Sequence, residues 1–224
     1  CGSNVLSTSD INKLYSPNQL GYNILRLMVY PNRNDWAADV PAAKAAAAHG
    51  AIIFACPWDC TDALADKLNG KKHLKHENYA AYAQHLVDYI EYMRSQGVEI
   101  YAISVQNEPD MEFTFWQPNE VVTFVKEHGQ TIRNTGVKLM TPEACGTQPE
   151  YTDPVLNDAA AMAQTDILAG HIYQGFIDVE SGGYVKNRHD YICGLYKKLN
   201  GKTWWMTEHL FNDGEKSDNQ ADWQ

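Results

Sequence analysis

Ile100-Tyr101-Ala102-Ile103-Ser104-Val105 runs directly into Gln106-Asn107-Glu108-Pro109. The run is short, apolar and β-branched, and it stops at a proline, so it reads as a buried strand that ends on a carboxylate. A second run, Trp204-Trp205-Met206-Thr207, closes in the same way on Glu208. Working outward from these two, strands are predicted at 23–29, 51–56, 100–105, 137–141, 166–171 and 203–207. Helices are predicted at 8–20, 41–49, 77–96, 118–134, 154–164 and 185–199, the first with Ser9-Asp10 as its N-cap. In the helix at 77–96, Ala83, Leu86, Val87, Ile90 and Met93 share one face, and Gly97 ends it. The polar stretch from Asp59 to His76 reads as a long loop.

Strand and helix therefore alternate, and the strands are continuous apolar runs rather than half-polar alternations. That pattern belongs to a parallel sheet covered by helices. The expected fold class is α/β, a (β/α)8 TIM barrel. A barrel takes eight strands over about 250 residues. The six strands found here are read as strands two to seven, with the first and eighth not seen. The whole of 1–224 is then one partial catalytic barrel, and the intact protein is expected to be longer. A complete six-stranded doubly wound sheet is the alternative.

Composition narrows the function classes. The 224 residues are 44% apolar and 21% charged, enough for a sizeable core, and the formal net charge is −10. With no basic stripe on so acidic a chain, nucleic acid is not an expected partner. No apolar run approaches the roughly 20 residues of a membrane span. Thirteen Tyr and six Trp suit a surface that stacks on sugar faces, although core packing also uses them. Cys56-Pro57-Trp58-Asp59-Cys60 lacks the second Cys or His pair that a zinc site needs. It reads as two ordinary thiols at a strand end or one local disulfide. Gly-rich phosphate loops, a Gly-x-Ser-x-Gly elbow and a His-Glu-x-x-His helix are all missing.

Two acids at the C-terminal ends of two parallel strands suit the cleavage of a glycosidic bond. One acid protonates the departing oxygen, and the other attacks or stabilises the sugar carbon left behind. Glu108 is the candidate acid/base and Glu208 the candidate nucleophile. Asn107 is placed to hydrogen-bond a sugar 2-hydroxyl. His171 and Tyr173 end another strand and are expected to face the same cleft. Trp58 ends the strand at 51–56 and is a candidate floor for a sugar subsite. Glu143 is a third acid in the same layer, suited to orienting other groups. Arg26 lies inside an apolar strand, where a lone charge is costly, so it is expected to pair with one of the carboxylates. His209 adjoins Glu208 and is a candidate support for it.

Tyr-Ala-Ile-Ser-Val-Gln-Asn-Glu-Pro-Asp (101–110), Thr-Asp-Pro-Val-Leu (152–156), Gly-His-Ile-Tyr (170–173) and Trp-Met-Thr-Glu-His (205–209) together resemble glycoside hydrolase family 30. The resemblance runs from about Asn4 to Asn212 and is nearest to the family's bacterial endo-β-1,4-xylanases, many of which recognise glucuronic acid side groups. It implies a retaining mechanism, with Glu108 as acid/base, Glu208 as nucleophile, and Trp58, Asn107, Trp116 and Tyr173 beside the cleaved bond. It implies no metal or cofactor, a xylan or related β-glycan as partner, and a secreted or cell-surface location. Oligomeric state is not readable. Other family specificities (β-glucosidase, β-1,6-glucanase, exo-xylosidase) and a non-catalytic xylan-binding relative are the alternatives. After Trp58 the family usually continues Ser-Pro-Pro-Ala, whereas this chain has Asp59-Cys60-Thr61-Asp62-Ala63-Leu64-Ala65. The family's glucuronate-binding arginine belongs to the strand-eight segment, and neither that segment nor the accessory β-domain is in this sequence.

Overall fold

The computed structural model describes residues 6–111, 113–172, 177–178, 183–184 and 186–209. Its elements run α1 (Thr8–Tyr15), β1 (Ile24–Val29), α2 (Val40–Ala48), β2 (Ile52–Pro57), β3 (Ala65–Leu68), β4 (Lys71–Leu74), α3 (Tyr79–Ser95), β5 (Ala102–Ser104), α4 (Pro118–Arg133), β6 (Lys138–Ala144), α5 (Pro149–Asn157), α6 (Ala159–Gln164), β7 (Ile167–Gly170), β8 (Ile177–Asp178), β9 (Gly183–Tyr184), α7 (Lys186–Lys198) and β10 (Thr203–Met206). The main sheet is parallel throughout and ordered β1-β2-β5-β6-β7-β10. Strands therefore follow one another in chain order, each joined to the next through helices. A doubly wound sheet reverses its order at a switch point. This one does not, so it is an arc of a (β/α)8 barrel.

Strand side chains alternate between two environments. Leu27, Val29, Ile53, Ala55, Ile103, Val105, Leu139 and Leu168 face outward into one large core with Leu86, Ile90 and Met93 of α3 and Phe124, Val125 and Ile132 of α4. Phe54, Ala102, Met140, Ile167 and Ala169 form a smaller inner cluster, with Trp205 packed against it. Catalytic side chains of a barrel stand at the C-terminal rim of such a sheet. That rim carries Trp58, Glu108, Glu143, His171 and Glu208.

Five local expectations change. The cap of α1 is Ser7, whose hydroxyl accepts from Asp10 N while Asp10 accepts from Ser7 N, a reciprocal capping box. The helix stops at Tyr15 rather than Leu20 because Ser16 precedes Pro17 and is extended. The stretch predicted as a loop holds the antiparallel hairpin β3–β4, turned on Asn69 (φ 52°) and Gly70 (φ 81°). Left-handed Asn-Gly pairs fit the right-handed strand twist. The helix expected at 154–164 is two helices: Asp158 is extended, and its carboxylate accepts from Ala160 N and Ala161 N to cap α6. Finally, β6 continues past 141 to Ala144, with a register shift against β7 between Pro142 and Ala144.

Candidate active site

Glu108 leaves β5 in a left-handed conformation (φ 45°) and is fixed by backbone bonds on both sides. Asn107 N donates to Pro57 O at 2.8 Å, and Glu108 N donates to Glu143 O at 3.0 Å. The Gln106 amide donates to Trp58 O at 2.6 Å. Backbone bonds from neighbouring strands thus set the direction of the Glu108 side chain. Glu143 is itself left-handed (φ 58°) at the β6 irregularity. A bulge re-aims a side chain, and here it turns Glu143 into the barrel, where it is fully buried.

These acids meet two cations. Arg26 donates through Nη1 to Glu208, and through Nη2 to Glu143 Oε1 at 2.9 Å and Asn107 Oδ1 at 2.6 Å. Its guanidinium also lies 4.2 Å from the Trp58 ring centroid, a stacked cation–π contact. His171, fully buried, reaches Glu108 Oε1 from Nδ1 at 2.9 Å and Glu143 Oε1 from Nε2 at 3.5 Å. One side-chain N or O atom from each of Glu108, His171 and Glu208 lies within 4.8 Å of the other two.

The charges are mutually set. Burial lowers the His171 pKa, but hydrogen bonds to Glu108 and Glu143 and the charges of Glu143 and Glu208 outweigh it, so it is pushed up to about 9. His171 is therefore an imidazolium near neutral pH. Burial raises Glu108, but the His171 bond and charge, the Cys145 thiol and Arg26 bring it below the ordinary glutamate value. For Glu143 burial again opposes ionisation, and Arg26, His171 and the Cys56 thiol hold its carboxyl far below the usual range. Three clustered donors of this type could in principle take a metal ion. Here each carboxylate already faces a cation, Arg26 on Glu208 and His171 on Glu108, which leaves little negative charge to attract another.

The structure brings together Arg26, Trp58, Asn107, Glu108, Glu143, His171 and Glu208. Asn107 is buried, and its Nδ2 has no hydrogen-bond partner among the described residues. His209 is half-buried beside Glu208. Tyr173 lies outside the described residues. Trp116 does not join the site. It is 1% exposed, stacked on Tyr79 at 5.4 Å and edge-on to Phe124 at 5.4 Å. Packed in this way it lies in the core, and its place beside the cleaved bond remains an expectation from the resemblance alone.

Residues not anticipated from sequence also contribute. The Cys56 thiol donates to Glu143 Oε2 at 2.8 Å. Cys56 and Cys60 are both free thiols, so the local disulfide does not form. Thr147 donates its hydroxyl to His171 O at 2.7 Å. Lys72 of the hairpin holds the departing loop after Trp58, reaching Asp59 at 3.0 Å, Asp62 at 2.7 Å and Cys60 O at 2.7 Å. The Asn69-Gly70 dipeptide was the available signal for that hairpin.

Two strand-end glutamates joined by a buried Arg–Glu–His network define a carboxylate-pair site at the rim of a barrel. The family described as "Glycosyl hydrolase family 30 TIM-barrel domain" matches residues 12–194, and the chain belongs to it. The chain is 40% identical over 213 residues to the glucuronoxylanase XynC of Bacillus subtilis (strain 168), covering 92% of this chain and 47% of that protein. Among solved structures it is similar to a GH30 endoxylanase from Clostridium papyrosolvens C71 (34% identity, TM-score 0.78, 95% of this chain and 55% of that one). It is also similar to the GH30 subfamily 8 xylanase Xyn30A from Clostridium acetobutylicum (31% identity, TM-score 0.76, 96% and 55%). The chain spans about half the length of the relatives it matches.

Proposed function

We propose that this chain carries the two catalytic acids of a retaining endo-β-1,4-xylanase, of the kind that acts on glucuronoxylan. The observation that carries the reading is the closeness of Glu108 and Glu208, which each have an oxygen within 4.8 Å of the other. Retaining enzymes keep their carboxyls about 5–5.5 Å apart, whereas inverting enzymes leave about 6.5–9.5 Å for a water. Identity of 40% to a glucuronoxylanase supports the substrate class.

In the first step a Glu208 oxygen attacks the anomeric carbon, and the bond to the leaving oxygen breaks as Glu108 protonates it. In the second step Glu108 takes a proton from water, and the water oxygen displaces Glu208 from the sugar. Arg26 aims Glu208 through its Nη1 hydrogen bond. Glu108 must hold a proton when the leaving group departs, and His171, hydrogen-bonded to it, is the adjacent proton donor. Asn107 is assigned to a sugar 2-hydroxyl, a contact that strengthens in the transition state. Its Nδ2 is covered in the free site, so the contact requires that atom to be uncovered as the sugar binds. A polymer substrate of this size is met outside the cell, so the proposed location is secreted or cell-surface.

Another family 30 specificity is the second reading, favoured by the Asp59–Ala65 loop, whose sequence departs from the usual Ser-Pro-Pro-Ala and which Lys72 holds through Asp59 and Asp62. The full-length protein would be incubated with glucuronoxylan, unsubstituted xylo-oligosaccharides and an aryl-β-glucoside, with products sized by mass spectrometry and Glu208→Gln as control. Acidic xylo-oligosaccharides that vanish in the variant support the glucuronoxylanase. Neutral oligomers of mixed length drop the glucuronate requirement. Cleavage of the glucoside alone moves the protein to the second reading, and no cleavage at all rejects both.

A further inference from the structure

Glu143 is fully buried and has no access to a sugar, so whatever it contributes passes through its neighbours. Those neighbours lead to both strand-end acids. The single oxygen Oε1 accepts from Arg26, whose other arm holds Glu208, and from His171, whose other nitrogen holds Glu108. The second oxygen, Oε2, accepts from the Cys56 thiol. The Glu143 carbonyl also accepts from Glu108 N. A bare buried carboxylate is costly, and cheaper residues would fill the space. Moreover, its backbone sits at a left-handed bulge that aims the side chain at this one point.

Resting on the assignment of Glu108 and Glu208 just made, we propose that Glu143 is the positioning residue for both, setting Glu208 through Arg26 and Glu108 through His171. Three charged groups (Glu108, Glu143 and Glu208) act on His171, Asp110 also interacts with it, and Arg26, His171 and Cys56 surround Glu143. Removing the Glu143 charge while keeping its shape therefore disturbs both arms at once. A residue that merely balances the charge of Arg26 would disturb one.

The test is Glu143→Gln in the full-length protein. Folding would be checked by circular dichroism and melting. Turnover would be measured across pH on glucuronoxylan and on a dinitrophenyl β-xylobioside, whose leaving group departs without a proton. The expected result is a fall in kcat of about 10- to 100-fold on both substrates with KM little changed, as for misplaced reacting groups. The basic limb of the pH profile is expected to move down by about one unit or more as His171 loses an anionic neighbour. A loss on glucuronoxylan alone would overturn the dual role, and an unchanged kcat and pH profile in folded variant would overturn the proposal altogether. NMR titration of the His171 ring gives a readout free of turnover. A lower His171 titration point in the variant supports the link even if no substrate is found, and an unmoved one rejects it. Should Glu143→Gln fail to fold, the wild-type titration decides: a His171 ring that titrates in the ordinary imidazole range overturns the proposal.

Discussion

Arg26 and Glu208 are bonded across the mouth of the sheet, although they belong to its two opposite edges, β1 and the end of β10. Five gaps of about 4.8 Å would hold the edges of a flat sheet roughly 24 Å apart, far beyond the reach of an arginine. The contact therefore requires the six strands to curl, and it ties the ends of that curl together.

Arg26→Ala is expected to destabilise the fold by about 3–5 kcal/mol, because it strands the buried Glu143 charge. It also removes the group that orients Glu208, so residual turnover should be negligible even where the protein stays folded. Urea unfolding at neutral pH, paired with activity, checks both. A loss of activity without a loss of stability would mean that Arg26 serves Glu208 alone.

The two glutamates should separate by leaving group. Glu108→Ala is expected to lose about 10²- to 10⁴-fold in kcat on xylan, the usual worth of a general acid. It should keep far more kcat/KM on a dinitrophenyl glycoside, where no proton is needed for departure, while kcat there is held down by the second step, whose water has lost its base. Glu208→Ala should lose both substrates, since the covalent intermediate cannot form. Equal losses of kcat/KM for Glu108→Ala on the two substrates would contradict its role as acid.

Much of this site was legible in the sequence because buried apolar strands ending on Glu108 and Glu208 leave few alternatives. Arg26 announced a partner by being charged inside an apolar strand, and it has two, Glu143 and Glu208. The direction of Glu143 was not legible, because it depends on a left-handed backbone and a register shift rather than on residue type. Trp116 was placed beside the cleaved bond by the resemblance alone, because an aromatic residue in a loop after a catalytic strand carries no mark of which way it faces. The hairpin β3–β4 hid in a polar stretch, since strands this short and polar lack an apolar period. Its Asn69-Gly70 turn was the visible sign. The break between α5 and α6 likewise had its capping Asp158 in view.

Stability should fall on the alkaline side through His171. Its folded pKa, about 9, lies above its ordinary 6.5. Its contribution is therefore fully present below about pH 6.5 and is lost as pH rises through about 9. The shift corresponds to something on the order of 3 kcal/mol. Glu108 and Glu143 are depressed, so their contributions are present above the ordinary glutamate range and vanish as pH falls. Urea midpoints at pH 6 and pH 10 for wild type and His171→Gln isolate the histidine. The gap between the two proteins should shrink at pH 10, and an equal gap at both pH values would refute the assignment.

Trp116 is expected to act through packing. Trp116→Ala should cost about 3–5 kcal/mol, as for other large-to-small core changes. Trp116→Phe keeps most of the stack on Tyr79 but loses the long Nε1 bond to Gln106 at 3.4 Å. It should melt somewhat lower with KM for xylo-oligosaccharides unchanged. A raised KM at unchanged melting temperature would restore Trp116 to the substrate cleft.

Gly170 is the position where a single methyl group should reach the site. It pairs with Ala144 on one side and Met206 on the other, in the strand that delivers His171. A Cβ there would stand 2.0 Å from Thr147 Oγ1 and 3.0 Å from Thr147 Cβ. Thr147 is buried, and its hydroxyl bonds the His171 carbonyl, so it cannot give way without moving the histidine. Gly170→Ala is therefore expected to cost about 1–3 kcal/mol, as overpacking does, and to lower kcat through His171 and Glu108. Thr147→Ala removes the clashing hydroxyl, so the same glycine change should cost clearly less in that background, a non-additivity that neighbours in contact show. Thermal melts and kcat for the two single variants and the double would complete the cycle. Strict additivity would mean that the methyl group is accommodated elsewhere and that Gly170 has no hold on the site.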